Sequence, residues 1–328
     1  MMRIGLVTGE YPPMEGGVGA FTRELARALA DLGHEIHVLT SREARPKTAD
    51  RRLRDLSTPL DEGFARVHPF IRKWRWPAVA QVADLVTRYD LDVVNVQYQA
   101  AAYDMRSPAV NLLPWRLRGL ATCVVTFHDL RVPYLFPKAG RLRETAVFHM
   151  ARQANAAIVT NQADFQTLAR FQGDDWQLRQ IPIGSNITTY TPHAIELAEA
   201  RALSGAPPGG CLLGYFGFLN DSKGADTLVH ALARLDDATR LVFIGGQTGS
   251  SDPTNRAFLA GLQAEIAALG VSGRVHWTVF LADQGVSTFL HAADVMVMPY
   301  RDGVSLRRGT LMAALAHGRP LITTQPAA

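Results

Sequence analysis

Positively charged side chains stand where two helices are predicted to begin in the second half of the chain. Lys223 is the first residue of the helical pattern in the second half of the segment "YFGFLNDSKGADTLVHAL" (215–232). Arg307 and Arg308 lie in the first turn predicted after Ser305, in "RDGVSLRRGTLMAALAHGRPLITT". A cation at the N-terminal end of a helix is disfavoured unless an anion is also present, because that end already carries partial positive charge. We therefore expect a shared anion site; the alternative is that these side chains extend into solvent.

A glycine-rich turn follows the first predicted strand, in "GEYPPMEGGVGAFTREL" (9–25). Gly16, Gly17 and Gly19 would let the backbone approach a ligand closely, and the helix start behind them favours anions. The spacing does not match the G-x-G-x-x-G fingerprint of a dinucleotide site. The alternative reading is a flexible loop.

His128 and Asp129 come directly after a buried strand, in "VVTFHDLRVPY" (124–134). A neutral imidazole at a strand end could hydrogen-bond a sugar or phosphate oxygen. The alternative is a histidine that is satisfied by its own neighbours. No H-x-x-x-H or C-x-x-C spacing indicates a metal site, and we expect no metal and no cofactor.

Short apolar runs alternate with helical patterns and so position these residues. Strands are predicted in the first half at 3–8, 35–40, 91–98, 122–128 and 156–160. Strands that are apolar throughout and separated by helices predict a parallel sheet covered on both faces. Gly33 is the predicted end of the first helix. The basic stretch 41–63 interrupts the pattern and is interpreted as an exposed, mobile loop.

The alternation restarts after a predicted helix and a Pro/Gly linker at 190–210. Strands are predicted at 211–219, 240–246, 274–279 and 294–300, with helices at about 223–235, 255–269 and 284–292. The fold class is therefore α/β, with two Rossmann-like, doubly wound parallel-sheet domains that face a cleft. The predicted domains are 1–190 and 191–328. Ligands of such sheets bind at the carboxyl ends of the strands.

Composition is typical of a soluble globular protein, with 328 residues, 47% of them hydrophobic and 20% charged. The net charge of +4 permits an anionic substrate, and no lysine/arginine block indicates nucleic acid. Cys123 and Cys211 lie in apolar runs, which favours a reducing cytoplasm over a disulfide framework. The N-terminus lacks the pattern of a signal peptide.

The order of the motifs resembles glycosyltransferase family 4, whose members have the GT-B fold. The matching segments are "GEYPPMEGGVGAF", "VVTFHD", "QIPIGSN", "YFGFLNDSKGADTLVHAL", "LVFIGG", "HAADVMVMPY" and "ALAHGRPLITT". The resemblance covers nearly the whole chain, and the order of the segments is more specific than any one of them. It implies that a nucleotide-sugar donor is held mainly by the second domain and an acceptor mainly by the first. It also implies transfer with retention of configuration and without a required metal.

The resemblance assigns roles to individual positions. Gly16 and Gly17 match a loop near the donor phosphates, His128 a histidine near the transferred sugar, and Lys223 a lysine on the diphosphate. Met298 and Pro299 lie where the donor-sugar loop begins. We predict a catalytic set of His128, Lys223 and Arg308. The predicted donor-binding set is Gly16, Gly17, Gly217, Lys223, Asp302, Gly303, Val304, Ser305, Arg307 and Arg308. The predicted acceptor-binding set is Tyr11, Gly19, Gln97 and Tyr98.

The chain also departs from the family pattern. Phe218 stands where the family usually has arginine, and Ile183 where it has asparagine. The glutamate pair of the family's E-x7-E motif aligns with Ser305 and Ala313. The chain ends at Ala328, where family members continue, which indicates either a truncated product or a shortened C-terminus.

The resulting hypothesis is a cytoplasmic, metal-independent, retaining hexosyltransferase of polysaccharide biosynthesis. It would move a sugar from a nucleotide sugar to a glycan or to a lipid-linked acceptor. One alternative is a non-catalytic GT-B-like binding or scaffold subunit, which the missing glutamates favour. Another is a sugar-nucleotide epimerase.

A side hypothesis is peripheral contact with the inner face of a membrane. The segment "FIRKWRWPAVAQVADLV" (70–86) interleaves three cations, Arg72, Lys73 and Arg75, with two tryptophans, Trp74 and Trp76. Such a patch could rest on anionic lipid. The alternative is a helix start whose tryptophans pack under the domain.

Overall fold

Apolar runs rich in valine, leucine and isoleucine form the strands of two separate sheets. The computed structural model describes residues 1–46, 58–130, 141–171, 176–246 and 253–326. The chain divides into two compact units, Met1–Pro182 and Ile183–Ala328, and each contains one sheet. The predicted domain boundary, between 190 and 191, lies eight residues inside the second unit (190 − 182).

The first unit contains an eight-stranded sheet of order β3-β4-β2-β1-β5-β6-β7-β8, in which only the β3–β4 pair is antiparallel. Its strands are β1 Arg3–Thr8, β2 Glu35–Ser41, β3 Leu60–Asp61, β4 Arg66–Ile71, β5 Val93–Tyr98, β6 Thr122–Phe127, β7 Ala156–Val159 and β8 Gln177–Gln180. Its helices are α1 Gly17–Asp31, α2 Trp76–Arg88, α3 Leu113–Leu117, α4 Arg141–Gln153 and α5 Gln162–Ala169.

The second unit contains a five-stranded parallel sheet of order β11-β10-β9-β12-β13. Its strands are β9 Leu212–Phe216, β10 Arg240–Ile244, β11 Val275–Trp277, β12 Val295–Met298 and β13 Leu321–Thr323. Its helices are α6 Ala194–Leu203, α7 Ala225–Leu232, α8 Pro253–Ala268, α9 Asp283–Ala292 and α10 Gly309–Ala316. Two apolar clusters pack on opposite faces of this sheet, as the continuous apolar strands predicted.

Each sheet has a switch point, which is the position at which the strand order reverses. In the first unit this point lies between β1 and β5, and in the second between β9 and β12. Loops that leave neighbouring strands in opposite directions open a crevice there, and ligands bind in it. The glycine loop follows β1, whereas the loop that carries Lys223 follows β9. The topology therefore puts both sets of predicted site residues at switch points.

The end of α1 confirms the predicted role of Gly33. Its φ of 86° is in the left-handed region that glycine tolerates, and its N–H donates to the carbonyl of Ala30 at 2.8 Å. The N–H of His34 donates to the carbonyl of Leu29 at 3.2 Å. These bonds satisfy carbonyls that the last helical turn would otherwise leave without a partner.

Two histidines from neighbouring strands form a buried pair in the first unit. His37 on β2 and His68 on β4 are joined by a ring hydrogen bond of 2.9 Å between Nδ1 and Nε2. Nε2 of His37 also lies 3.2 Å from Glu35, and the ring of Tyr89 packs on both imidazoles. Burial lowers the pKa of His68 to about 3, and it also lowers the pKa of His37. Both rings are therefore neutral at pH 7.

The structure differs from the sequence prediction at several elements. Strands β4 and β8 were not predicted; β4 has only three strongly apolar residues in "RVHPFI" and β8 has one in "QLRQ". Of the stretch expected to be a mobile loop, 47–57 lies outside the described residues. A short 3-10 turn, Arg42–Ala44, and strand β3 occupy parts of its two ends.

Candidate functional site

The loops after β9 and β12 approach each other closely in the second unit. A Cβ atom at Gly224 would lie 2.0 Å from the carbonyl oxygen of Pro299, and Gly224 has a φ of 66°. Only glycine fits both the contact and the backbone angle. The N–H of Arg301 donates to the carbonyl of Ser222 at 2.9 Å. The two loops are thus joined through their backbones.

Ion pairs join the same two loops. The guanidinium of Arg301 pairs with Asp221 in the β9 loop and with Asp226 in the first turn of α7. A guanidinium can bind two carboxylates at once because its N–H groups form a rigid planar fork. Arg301 therefore has internal partners and serves to hold the loops together.

Lys223 has a different environment from this arginine. Its Nζ donates to the carbonyl oxygen of Phe218 at 2.8 Å, and among the described residues no carboxylate forms an ion pair with it. Burial, with a further contribution from the charge of Arg308, lowers the pKa of Lys223 to about 8. Gly217, with a φ of 120°, lies beside Lys223 Nζ and the methyl group of Thr310. An ammonium in this position favours the binding of an anion.

The structure corrects the prediction for this lysine in one respect, because Lys223 does not open a helix. It is the last residue of the 3-10 turn Asp221–Lys223, and α7 begins at Ala225 after the left-handed Gly224. The cause is the close approach to Pro299, which requires a backbone conformation that a helix cannot contain.

The predicted helix start at Ser305 is also wrong, since α10 begins at Gly309. Ser305 Oγ accepts hydrogen bonds from Arg307, at 3.4 Å from its backbone N and 3.2 Å from Nε. The N–H of Arg308 donates to the carbonyl of Ser305 at 3.2 Å. Ser305 therefore stabilises a local turn, and Arg308 occupies the N-cap position.

Arg308 is held by groups of its own loop. Its guanidinium pairs with Asp302 and lies over the ring of Tyr300, 4.0 Å from the centroid. The carboxylate of Asp302 and the aromatic face of Tyr300 together offset much of the electrostatic cost of a cation near a helix start. For Arg308, the electrostatic misfit inferred from the sequence is therefore resolved inside the protein. Arg308 still contributes positive charge beside Lys223.

The remaining predicted donor residues shape this loop. Gly303 has a φ of 80°, and the N–H of Val304 donates to the carbonyl of Gln325 at 3.3 Å. Ala313, at the position of a family glutamate, is fully buried on α10. Among the described residues, the structure thus brings Gly217, Lys223 and Arg308 together.

His128 lies at the carboxyl end of β6 in the first unit. Burial lowers its pKa to about 4, so the ring is neutral. Its Nε2 is 2.9 Å from Oε1 of Gln97, and the edge of the Phe21 ring packs against it at 4.8 Å between centroids. When Nε2–H donates to Gln97, Nδ1 is left as an acceptor. The neighbouring Asp129 accepts from Gln99 Nε2 at 3.1 Å.

Three of the predicted acceptor residues have side chains inside the first unit. Tyr11, Gln97 and Tyr98 are each fully buried. The hydroxyl of Tyr11 donates to Glu62 at 3.0 Å. Burial counts against direct acceptor contact by these three side chains, two of which lie on β5 and one in the loop after β1. Gln97 instead positions His128.

Sequence reasoning missed Glu10, which lies inside the glycine loop. Its Oε1 accepts from the N–H of Val18 at 3.0 Å and of Gly19 at 3.3 Å. Only 7% of the residue is exposed, and burial raises the pKa of the carboxyl. The available signal was a carboxylate between a strand end and a glycine-rich helix start.

The basic segment with two tryptophans is divided between core and surface. Trp74 is buried, whereas Trp76 at the start of α2 is 59% exposed. Arg75 Nε pairs with Asp104 at 2.7 Å, and the next residue along, Met105, is also exposed. The exposed Trp76 fits the membrane hypothesis and the buried Trp74 fits packing under the domain, so neither hypothesis describes both tryptophans. No helix among the described residues has the length and apolar character needed to cross a bilayer.

The described residues also contain no group of three or more histidine, cysteine, aspartate or glutamate side chains that could hold a metal ion. The catalytic roles predicted for individual residues stay predictions.

Comparison with known proteins identifies similar chains for both halves. Residues 16–184 match the family described as glycosyl transferase 4-like domain, and residues 210–328 match glycosyl transferases group 1. A GDP-mannose-dependent alpha-(1-6)-phosphatidylinositol monomannoside mannosyltransferase of Mycobacterium tuberculosis is 27% identical over 313 residues, which cover 92% of this chain and 73% of that protein.

Two solved structures show the same fold. Sucrose-phosphate synthase from Thermosynechococcus elongatus superposes with a TM-score of 0.73 at 21% identity, covering 98% of this chain and 81% of that one. The Anabaena protein HepE, solved in complex with UDP and glucose, gives a TM-score of 0.70 at 18% identity, covering 100% of this chain and 82% of that one.

Proposed function

Because this chain belongs to the GT-B glycosyltransferases of family 4, which use nucleotide-sugar donors, we propose that it is a retaining, metal-independent hexosyltransferase. The proposed donor site is the crevice between β9 and β12 in the second unit. The proposed acceptor is a glycan or a lipid-linked sugar. The similar mycobacterial enzyme, whose name describes mannosyl transfer to a phosphatidylinositol mannoside, supports a lipid-linked acceptor.

The observation that carries the proposal is Lys223. Its ammonium is part-buried, its pKa is lowered to about 8, and its hydrogen-bond acceptor is a neutral carbonyl. A diphosphate would supply the missing negative charge and restore the lysine to full protonation. The neighbouring Arg308, which keeps Asp302 as a partner, would add a second positive charge.

In the proposed reaction the bond between the anomeric carbon and the diphosphate oxygen breaks, and its electron pair stays on the diphosphate. The acceptor oxygen bonds to the same carbon, and its proton passes to an oxygen of the departing diphosphate. Lys223 stabilises the growing charge on the leaving group, in the manner of a fixed electrostatic donor, for which about 3 kcal/mol is typical. His128, held neutral, would orient the sugar through a hydrogen bond.

We also propose a peripheral contact with anionic lipid through Trp76 and the exposed cations Arg72 and Lys73. An exposed tryptophan flanked by cations suits the interface of a membrane. Co-sedimentation with vesicles that contain phosphatidylglycerol should fall for Trp76→Ala and Lys73→Glu. Equal sedimentation with neutral vesicles would count against this contact.

A screen of UDP-, GDP- and ADP-sugars for release of the nucleoside diphosphate tests the main proposal. We expect release with one donor class, accelerated by an acceptor glycan. NMR of the product should show the anomeric configuration of the donor. An inverted product would exclude the retaining mechanism.

Ala313 favours a second candidate, a non-catalytic binding subunit. A buried methyl group stands where the family has a donor-binding glutamate. Such a subunit would bind a nucleoside diphosphate in calorimetry and would neither transfer nor hydrolyse any sugar in the same screen.

A further inference from the structure

We propose that Glu10 is a positioning residue whose carboxyl group occupies the amide site at the start of α1. The glycine loop is then held by the protein itself, and the N–H groups of Val18 and Gly19 are not part of the donor phosphate site. The occupancy of the amide site is independent of the proposed function. Only the consequence for binding of the donor phosphate rests on the proposed function.

The geometry shows a completed helix cap. Gly16 is the N-cap residue of α1 and offers no side chain, and the first turn contains no acidic residue. Glu10, eight residues before Val18, instead provides an oxygen that accepts from the N–H groups of Val18 and Gly19. These are among the amides that a helix start otherwise leaves without a partner. A helix start whose amides already have a buried acceptor has less to offer an incoming phosphate.

The pattern of glycines matches this arrangement. A Cβ atom at Gly16 would lie 2.1–2.3 Å from all three carboxyl atoms of Glu10. A Cβ atom at Gly19 would lie 3.0 Å from the backbone of Glu10 and Tyr11. A Cβ atom at Gly17 would meet nothing within 4 Å. Gly16 is therefore explained by an internal contact, whereas Gly17 keeps an open side that a ligand could approach.

Glu10 is itself fixed from the end of β1. The hydroxyl of Thr8 donates to the Glu10 carbonyl at 2.8 Å, and both residues are buried. The loop thus takes its position from the strand through one side chain. A diphosphate at these amides would have to displace a buried group, and the two negative charges would repel each other if both were present.

Chemical rescue tests this role. In Glu10→Ala the two amides lose their acceptor, and we expect the melting temperature to fall by about 2–4 °C, as for the loss of a helix cap. Sodium formate should restore most of that loss relative to sodium chloride at equal ionic strength, because formate fits the vacated site. Wild type and Glu10→Gln, which keeps an acceptor oxygen, should show no formate-specific gain.

A second comparison applies if Glu10→Ala does not fold. Glu10→Gln should then retain the wild-type melting temperature, whereas Glu10→Met, which fills the space without an acceptor, should not. Equal melting temperatures for the glutamine and methionine variants, or a foldable Glu10→Ala without formate-specific rescue, would overturn the proposal.

Binding of inorganic pyrophosphate provides the functional readout. We expect Glu10→Ala to bind it with the wild-type affinity, since the amides of Val18 and Gly19 do not contribute to the donor phosphate site. A tenfold or greater gain in affinity would mean that these amides are a phosphate site that Glu10 blocks, and would overturn the proposal. A failure of the proposed function would show up separately, as no binding of UDP, GDP or ADP by the wild type.

Discussion

The two switch-point loops of this protein differ in how their charges are satisfied. At the end of β1, the helix amides of Val18 and Gly19 have an internal acceptor, Glu10. At the end of β9, the ammonium of Lys223 donates to a neutral carbonyl and has no carboxylate partner among the described residues. Both loops follow the carboxyl ends of parallel strands and both contain the glycines expected of a ligand site.

The difference shows that a helix start or a cation indicates an anion site only when no internal partner is present. Arg301 and Arg308 are cations at the same switch point as Lys223, yet each is paired with a carboxylate. Lys223 has no such carboxylate partner among the described residues. The second unit therefore contains the better candidate for a phosphate site.

The largest expected effect is the loss of turnover in Lys223→Ala. Removal of one preorganised donor to the leaving group should lower kcat on the order of 10²-fold. The melting temperature should change little, because the ammonium is desolvated at its site. The exposed Arg234→Ala in the same unit provides the matched control and should keep wild-type turnover. Equal turnover in both variants would remove Lys223 from the leaving-group role.

The adjacent glycines Gly16 and Gly17 differ in what surrounds them, and only Gly16 is expected to be needed for internal packing in the first unit. Gly16→Ala should destabilise the protein by about 1–3 kcal/mol, because the new Cβ meets the carboxyl of Glu10. Gly17→Ala should not destabilise it, since the new atom has open space in the first helical position. Denaturant titration measures both. If the two variants were equally stable, the packing explanation of Gly16 would be wrong.

Acid should weaken the first unit through the buried histidine pair. The folded-state pKa of His68 is about 3 and the ordinary value is 6.5, so the unfolded chain binds more protons between these values. Stability should therefore fall as pH drops below 6.5, by up to about 1.4 kcal/mol per pH unit for one histidine. Urea titrations at pH 7 and 5 measure the change. In His68→Phe the free energy of unfolding should depend less steeply on pH. An unchanged pH dependence would exclude His68 as its source.

The smallest effect expected is the coupling between Arg308 and Asp302. A partly exposed ion pair is worth about 0.5–1 kcal/mol. A double-mutant cycle of Arg308→Ala and Asp302→Ala should give a coupling energy of this size. A coupling energy of zero would mean that Arg308 is available to a ligand, as Lys223 is.

The sequence predicted the two-sheet architecture because continuous apolar strands and helical spacing are local signals. It also predicted which loops follow the carboxyl ends of the strands, since the chain order of the motifs fixes the strand ends. It did not predict where α10 begins, because Ser305 has the chemistry of an N-cap while a local turn uses its hydroxyl. The partners of Arg308 and the position of Glu10 depend on tertiary contacts that no spacing reveals.

The pH dependence of nucleoside diphosphate binding tests the central claim about Lys223 most directly. Calorimetry would use whichever of UDP, GDP and ADP binds the wild type most tightly. We predict a loss of affinity of about twofold between pH 7 and 8, and above pH 8 a loss approaching about tenfold per unit, because the free protein loses the Lys223 proton with a pKa of about 8. Lys223→Ala should bind more weakly, without this dependence. A wild-type affinity that stays constant to pH 10 would contradict the assignment of Lys223 to the donor phosphate.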